Sequence, residues 1–397
     1  MKPNMLHIST LAVLGACACC ARAQDGPQVT ISGFGTAALT RTDTDRGEFS
    51  RINQAAGAAR DARTGVDSNF GIQATARFSD AWSLTAQGLA RKSGERDQFG
   101  ADLNWAFAKY QVNDDVAVRV GRIGMPIYML SDSVNIGYAS TMLRPPTEMY
   151  RQVPLDYASG GDLLYQHSFG DTTATAQFAY GSARNKTSGP TTANAHIMAA
   201  QLQLENGPFT YRAGYSRARI SLHSAGITTM LAALRQAGFG PVADQLNPVD
   251  NRGSFASVGF TMDYRNVLAQ AEYGKRKVDS ALAPDSSAWY VMLGYRWGKW
   301  VPFYVHGDMK QDSPRTVAAL PASGPLAPLS AVVDAAVKSP LQSTDAAGLR
   351  WDFNKSAALK VQVDRVRPRD GVGYFINTKP GFSGPVTVYA AAVDFVF

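Results

Sequence analysis

From residue 28 to the C-terminus, apolar and polar side chains trade places at every second position, in one short segment after another. Phe209, Tyr211, Ala213 and Tyr215 interleave with Thr210, Arg212, Gly214 and Ser216; Trp289, Val291, Leu293, Tyr295 and Trp297 interleave with Tyr290, Met292, Gly294 and Arg296. Val301, Phe303, Val305 and Met309 do the same with Tyr304, His306, Asp308 and Lys310, as do Leu359, Val361 and Val363 with Lys360, Gln362 and Asp364. Successive side chains of a strand point to opposite faces, so each segment presents one apolar and one polar face. After the first residues, no run approaches the roughly 18 apolar residues of a transmembrane helix.

The alternation predicts strands over about 28–41, 65–78, 82–92, 103–111, 116–123, 160–169, 172–182, 194–205, 209–219, 254–264, 267–278, 287–297, 301–311, 344–353, 357–367 and 385–397, sixteen in all. Most exceed the ~5–6 residues of globular strands and suit a tilted membrane span of ~9–11. Phe78 and Trp82, Tyr264, Trp297 and Trp300, Phe353, Phe395 and Phe397 fall at segment ends on the apolar face, where an interfacial girdle sits. Seven joints are tight and built from hairpin residues: Ser79-Asp80, Asn113-Asp114-Asp115, Gly170-Asp171, Asn206-Gly207-Pro208, Arg265-Asn266, Gly298-Lys299 and Asn354-Lys355. The other connections are mostly longer. Short turns face the periplasm and long loops the outside, which puts both ends of the mature chain on the periplasmic side. The fourth segment is the least regular, because Trp105 and Phe107 do not alternate cleanly with Lys109 and Tyr110.

An all-β fold follows, a transmembrane antiparallel β-barrel of 16 strands. Hydrocarbon offers an open sheet edge no hydrogen-bond partners, so the sheet must close. A ring of sixteen strands is too wide for its own side chains to fill and keeps an aqueous lumen. The third external connection, residues 124–159, carries Tyr128, Met129, Tyr138, Leu143 and Met149, too apolar for a solvated tip. Folding inward would bury them and narrow the channel; an external lid or an oligomer-facing loop is the competing expectation. Residues 227–235 suit a short amphipathic helix and 332–338 a helical turn.

Basic residues crowd the outer end of every upward strand: Arg41; Arg91 and Lys92; Arg119 and Arg122; Arg184; Arg217 and Arg219; Lys275, Arg276 and Lys277; Lys310; Arg365 and Arg367. Outward members would bind the phosphates of lipopolysaccharide, and inward members would form a funnel that concentrates anions. By parity Arg77, Arg91, Arg119, Arg212, Arg296, Arg350 and Lys360 face the lumen, against Glu205, Asp263, Glu272, Asp308, Asp352 and Asp364. The modest basic excess predicts a weak anion preference. Arg119 on the wall, with Asp132, Arg144, Glu148 and Asp156 on the loop, are the candidate constriction residues.

Residues 1–23 read as a secretory signal: Lys2 opens it, Leu11 to Ala21 form its apolar stretch, and Ala21-Arg22-Ala23 precede a cleavage site before Gln24. Leu14-Gly15-Ala16-Cys17 also resembles a lipoprotein box with Cys17 as the lipidated residue. Cleavage takes two bases and no acids from the 39 and 32 of the whole chain, leaving 37 − 32 = +5 on 24–397. All three cysteines, Cys17, Cys19 and Cys20, leave with the signal, which disfavours a disulfide scaffold, a cysteine metal site and a thiol enzyme. His167, His196, His223 and His306 are scattered, and no Gly-x-Ser-x-Gly elbow, phosphate loop or HExxH occurs. No enzyme activity, cofactor, metal or nucleic-acid partner is expected. An outer-membrane hydrolase is the remote alternative, and a channel selective for one small anionic solute the nearer one.

At this point the chain resembles the Gram-negative general porin family, in particular its betaproteobacterial trimeric type, over essentially all of 24–397. The resemblance rests on Ile31-Ser32-Gly33-Phe34-Gly35-Thr36, on Val118-Arg119-Val120-Gly121-Arg122 before the long loop, on Leu143-Arg144-Pro145-Pro146-Thr147-Glu148 within it, and on the terminal Val393-Asp394-Phe395-Val396-Phe397. The Pro-Glu-Phe-Gly-Gly stretch usual in that loop is absent. The resemblance implies a homotrimeric outer-membrane channel for passive diffusion of small hydrophilic solutes and ions. It also implies that Phe397 and Phe395 belong to a signal read by the outer-membrane assembly machinery.

Overall fold

The computed structural model describes residues 26–155, 157–186, 191–369 and 371–397; the leader 1–23 with Cys17, and Asp156 of the long loop, lie outside them. The strands are β1 (Gln28–Thr42), β2 (Asn69–Arg77), β3 (Trp82–Lys92), β4 (Phe99–Gln111), β5 (Val116–Gly124), β6 (Tyr157–Phe169), β7 (Thr172–Lys186) and β8 (Thr191–Asn206). They continue as β9 (Phe209–Ser224), β10 (Asn251–Tyr264), β11 (Val267–Val278), β12 (Ser286–Tyr295), β13 (Trp300–Gln311), β14 (Gln342–Asn354), β15 (Ala357–Pro368) and β16 (Val386–Val396). Each pairs antiparallel with its neighbours in sequence, and β1 pairs with β16 to close the ring. Among the described residues no helix is long and apolar enough to cross a membrane.

The outer surface is the apolar one. Leu84, Val120, Leu163, Tyr215, Leu293 and Val361 are all exposed, as hydrocarbon-facing side chains are in a barrel. Trp82 packs on Tyr110 and Trp300 on Trp351, ring centroids 4.7 and 5.0 Å apart, in the belt near the short turns. Those turns supply the unusual backbone that hairpins need: Arg265 and Asn266 both have positive φ, 48° and 71°, matching the right-handed twist of the flanking strands.

Three departures from the sequence reading have local causes. β2 starts at Asn69 because Asp67 and Ser68 bond away from the ladder, to Thr40, Arg144 and Ala38. In β4 the register slips by one residue at Asn104, between the pairs Gln87–Trp105 and Gly88–Leu103. This bulge reverses the faces: Leu103 is exposed, while the Trp105 indole donates to Gln73 and the Phe107 ring lies 4.9 Å under the Arg119 guanidinium. That is why the fourth segment reads irregularly.

The third departure is β13, whose faces are opposite to expectation. Val301, Phe303, Val305 and Met309 are buried inside the ring and Tyr304 is exposed outside it. His306, Asp308 and Lys310 share the Tyr304 face, so Asp308 leaves the lumen set. The inner wall here lies under folded chain rather than water, so an apolar inner face is favoured. The polar outer end finds partners on neighbouring elements: His306 Nδ1 lies 2.7 Å from Asp345, and Arg369 is 2.8 Å from Asp308.

The seam between first and last strands is tightly drawn. Gly33 and Phe397 exchange backbone hydrogen bonds of 2.9 and 3.0 Å. The Phe397 and Phe395 rings lie directly over Gly33 and Gly35, where an added Cβ would fall 2.3 and 2.4 Å from ring carbons. Outside the ring, helices at Ala225–Gln236, Gly240–Gln245 and Ala327–Ala336 pack Leu234, Ala243 and Val333 into a small separate cluster over the long-loop end.

Candidate functional site

Residues 125–155, between β5 and β6, run through the inside of the ring. Ser257 of β10 donates to the Ile127 carbonyl at 3.2 Å, and the Met129 N–H donates to Glu272 of β11 at 2.8 Å. Six residues later Asn135 accepts from Arg91 of β3 at 3.1 Å. β3 and β11 are eight places apart in a ring of sixteen, on opposite walls. The chain then follows β14–β16. Arg350 donates to the carbonyls of Tyr138 and Ser140 at 2.8 and 2.7 Å, and Lys360 to those of Gly137 and Met142 at 2.7 and 3.0 Å. A helical turn, α1 (Thr147–Tyr150), brings it back toward β11, where the Tyr150 hydroxyl donates to Glu272 at 2.6 Å. Ile123, Met125, Met142 and Met149 are fully buried along this path.

Arg144 is the central fastening. Its guanidinium donates to both oxygens of Asp67 at 3.0 and 2.8 Å and to Asp364 of β15 at 2.5 Å, with all three side chains buried. Burial by itself would raise the Asp67 carboxyl. The adjoining Arg144 charge overrides that and holds it below its ordinary 3.8. Glu148 has no such cation. It accepts from Gln342 at 2.6 Å and Thr344 at 2.5 Å, and burial pushes it above its ordinary 4.5.

The wall left open by the loop has a different character. A hydrogen-bonded belt crosses β5 to β9: Arg119 to Asp162 at 2.9 Å, Gln177 to Asp162 at 2.7 Å, Gln201 to Gln177 at 3.0 Å and Arg212 to Gln201 at 2.5 Å. On β2 to β4, Gln87 donates to Gln73 at 3.1 Å and Asn104 to Gln87 at 2.7 Å. Lys109 is in register with Arg119 on this inner face. Between loop and wall a cleft of about 60 Å³ is lined by Arg51, Arg91, Lys92, Arg144 and Arg151 with Asp67.

The sequence-predicted residues therefore separate into groups. Arg144 and Glu148 fasten the loop and are buried; Asp132 is exposed on it. Arg119 and Arg91 sit on the wall that water reaches. Arg212 is 5% exposed, with both terminal nitrogens unpartnered. Lys360 is 0% exposed and ion-paired to Asp394 at 2.9 Å, so its charge is spent on the fastening. Arg350 likewise serves the loop, while Arg296 pairs with Asp263 at 2.8 Å near the short turns, and Arg77 is exposed at the start of the same face. Of the rim bases, Arg41, Arg217, Arg219, Lys275, Lys277, Lys310, Arg365 and Arg367 share the outward face of their strands with Leu39, Tyr215, Tyr273, Tyr304 and Val363. The sequence reading missed Asp67, Asp162 and Gln177. Asp67 was counted inside a strand, and neutral Gln177 carries no sign to count.

His167 lies 2.9 Å from Asp115 at a short turn, and His306 lies near the opposite rim. Among the described residues no cluster of His, Cys, Asp and Glu could hold a metal ion.

Comparison with solved structures finds the same architecture. A loop-deletion form of OmpT, an outer membrane protein of Vibrio cholerae, matches with TM-score 0.57 at 11% identity, over 94% of this chain and all of that one. OmpF of Salmonella typhi, in complex with daunomycin, matches with TM-score 0.56 at 14% identity, over 95% of this chain and 99% of that one. Comparison with curated protein sequences finds no match. A sequence profile described as Gram-negative porin matches residues 10–319. With the closed sixteen-strand ring, its apolar belt and its polar bore, that match establishes that the chain belongs to the Gram-negative porin family, an integral outer-membrane β-barrel that passes solutes by diffusion.

Proposed function

We propose that residues 125–155 constrict the diffusion channel and that the bore weakly prefers anions. The observation that carries the constriction is the span from Met129 on β11 to Asn135 on β3, opposite walls of one ring. A loop held on both sides cannot leave the bore at full width. The anion preference is supported by Arg77, Arg91 and Lys109 on the water-facing wall, where Arg119 and Asp162 offset each other. Single-channel conductance in a planar bilayer, with reversal potentials in a KCl gradient, tests both. Clear cation preference would refute the second, and a conductance unchanged on excising 129–135 would refute the first.

The assembly is a homotrimer, a reading supported by the trimer form in which OmpT of Vibrio cholerae is known. Lipopolysaccharide is the partner of the outward bases, whose phosphate-binding chemistry suits the outer leaflet. The assembly machinery reads Phe397 and Phe395, and segment 1–23 is the export signal. Replacing Phe397 by Ala lowers the yield of folded trimer in the outer membrane, measured by heat-modifiable mobility on gels; an undiminished yield would refute that role. Transport on this reading is passive and involves no chemical step.

A further inference from the structure

On the outer half of the lumen wall, the polar belt gives way to an apolar patch that membrane insertion does not require, because it faces inward. Ala195 and Ile197 of β8, Ala218 and Ile220 of β9 and Phe255 of β10 line a cavity of about 190 Å³, and Leu155 of the inward loop closes one side. If the patch served only as a seat for the loop, it would be filled, since protein interiors pack to crystal-like density with few voids larger than a water. Instead it holds more space than a ~150 Å³ apolar cavity able to take up benzene. Among the described residues one charged group lines it. Arg276 of β11 donates to the carbonyls of Gln152 at 2.7 Å and Pro284 at 2.9 Å, and its buried Nε has no partner. Both of these partners are neutral carbonyls, so neither offsets the guanidinium charge beside the apolar wall.

We propose that this cavity binds small amphipathic monocarboxylates, an apolar body of about six to eight carbons against β8–β10 and the carboxylate on Arg276. The proposal rests on the channel reading. Entering solutes meet the cavity before the narrowest point, because Ala195, Ala218 and Val278 lie toward the long-loop ends of their strands. A transient apolar contact would raise the local concentration of such acids at the constriction, which a purely polar bore would not do.

Isothermal titration of the detergent-extracted trimer with benzoate and hexanoate is the test, with acetate and benzyl alcohol as probes lacking the apolar body or the charge. Benzoate and hexanoate bind saturably with one site per chain, and both controls bind about tenfold or more weakly. Arg276→Gln weakens benzoate by a similar factor and leaves benzyl alcohol unchanged, while Ala218→Phe, which fills the cavity, weakens both. Equal affinity for benzoate and acetate, or benzoate binding unaltered in Arg276→Gln, would overturn the proposal. The wild-type probe series decides the matter even if a variant fails to fold. Saturable benzoate block of bilayer current adds the transport side. A conducting channel without benzoate binding sinks this inference alone, whereas binding without conductance sinks the channel reading.

Discussion

Two groups of cations share the inside of this barrel and do different work. Arg144, Arg350 and Lys360, on or facing the inward loop, are turned to carboxylates and carbonyls and are largely sealed from water. Arg77, Lys109 and Arg119, on β2, β4 and β5, line the wall away from the loop and remain partly open to the bore, Arg119 paired there with Asp162. The first group determines where the loop lies, and the second determines the field along the path. A net count of lumen charges mixes the two, and only the second bears on which ions pass.

The sharpest way to break this division is Arg144→Ala. It strands Asp364 as a buried carboxylate without a cation and leaves Asp67 only the more distant Arg51, at 4.0 Å, a change worth about 3–5 kcal/mol. The expected result is a lowered unfolding temperature and a noisier, larger single-channel conductance as the loop loosens. A quiet channel of unchanged size would put Arg144 outside the fastening.

Titration separates two carboxyls of the same fastening by sign. The Asp67 carboxyl is held low, so its stabilisation is present at neutral pH and is lost as pH falls through the folded-state value. The Glu148 carboxyl is held high, so the folded state keeps its proton longer than the unfolded chain does. Its contribution therefore favours folding at low pH and fades as pH rises above the ordinary 4.5 through the raised value. Glu148→Gln should then leave stability at neutral pH equal or improved, while Asp67→Asn lowers it; chemical denaturation of the refolded barrel at pH 7 and pH 4 distinguishes them. Matching responses would mean that one network, not two environments, governs the loop.

A smaller effect is expected on the open wall. Arg119→Ala takes the cation from one buried carboxylate, Asp162, to which Gln177 still donates, at the low end of the Arg144→Ala range, about 3 kcal/mol. Smaller again in stability is Lys109→Ser, which should leave folding intact and shift the reversal potential toward cations. A shift of equal size in Lys360→Met, with the loop still in place, would erase the distinction between fastening and path.

The sixteen strands were legible because each carries its own alternation, a local property that survives without knowledge of neighbours. β13 misled for the same reason. Val301, Phe303 and Val305 alternate well, yet alternation says only that the faces differ, not which face meets lipid, and the apolar face here turned to the covered inner wall. β4 was obscured by a single bulge at Asn104. The residues proposed for the constriction were harder still. Arg144 and Glu148 were found by position in the loop, but their partners Asp67, Asp364, Gln342 and Thr344 come from three other elements, and no spacing in the chain announces that meeting. Arg276 was visible only as one base in a run of three, since parity alone sets it apart from Lys275 and Lys277.

The span from Glu272 to Arg91 has a mechanical meaning as well. An empty hoop of strands deforms easily into an ellipse when its surroundings squeeze it. This hoop has a tie rod across its diameter, tensioned at Met129 and Asn135. Squeezing the ring at right angles to this rod would lengthen the span it crosses, so the bonds at Met129 and Asn135 resist that distortion.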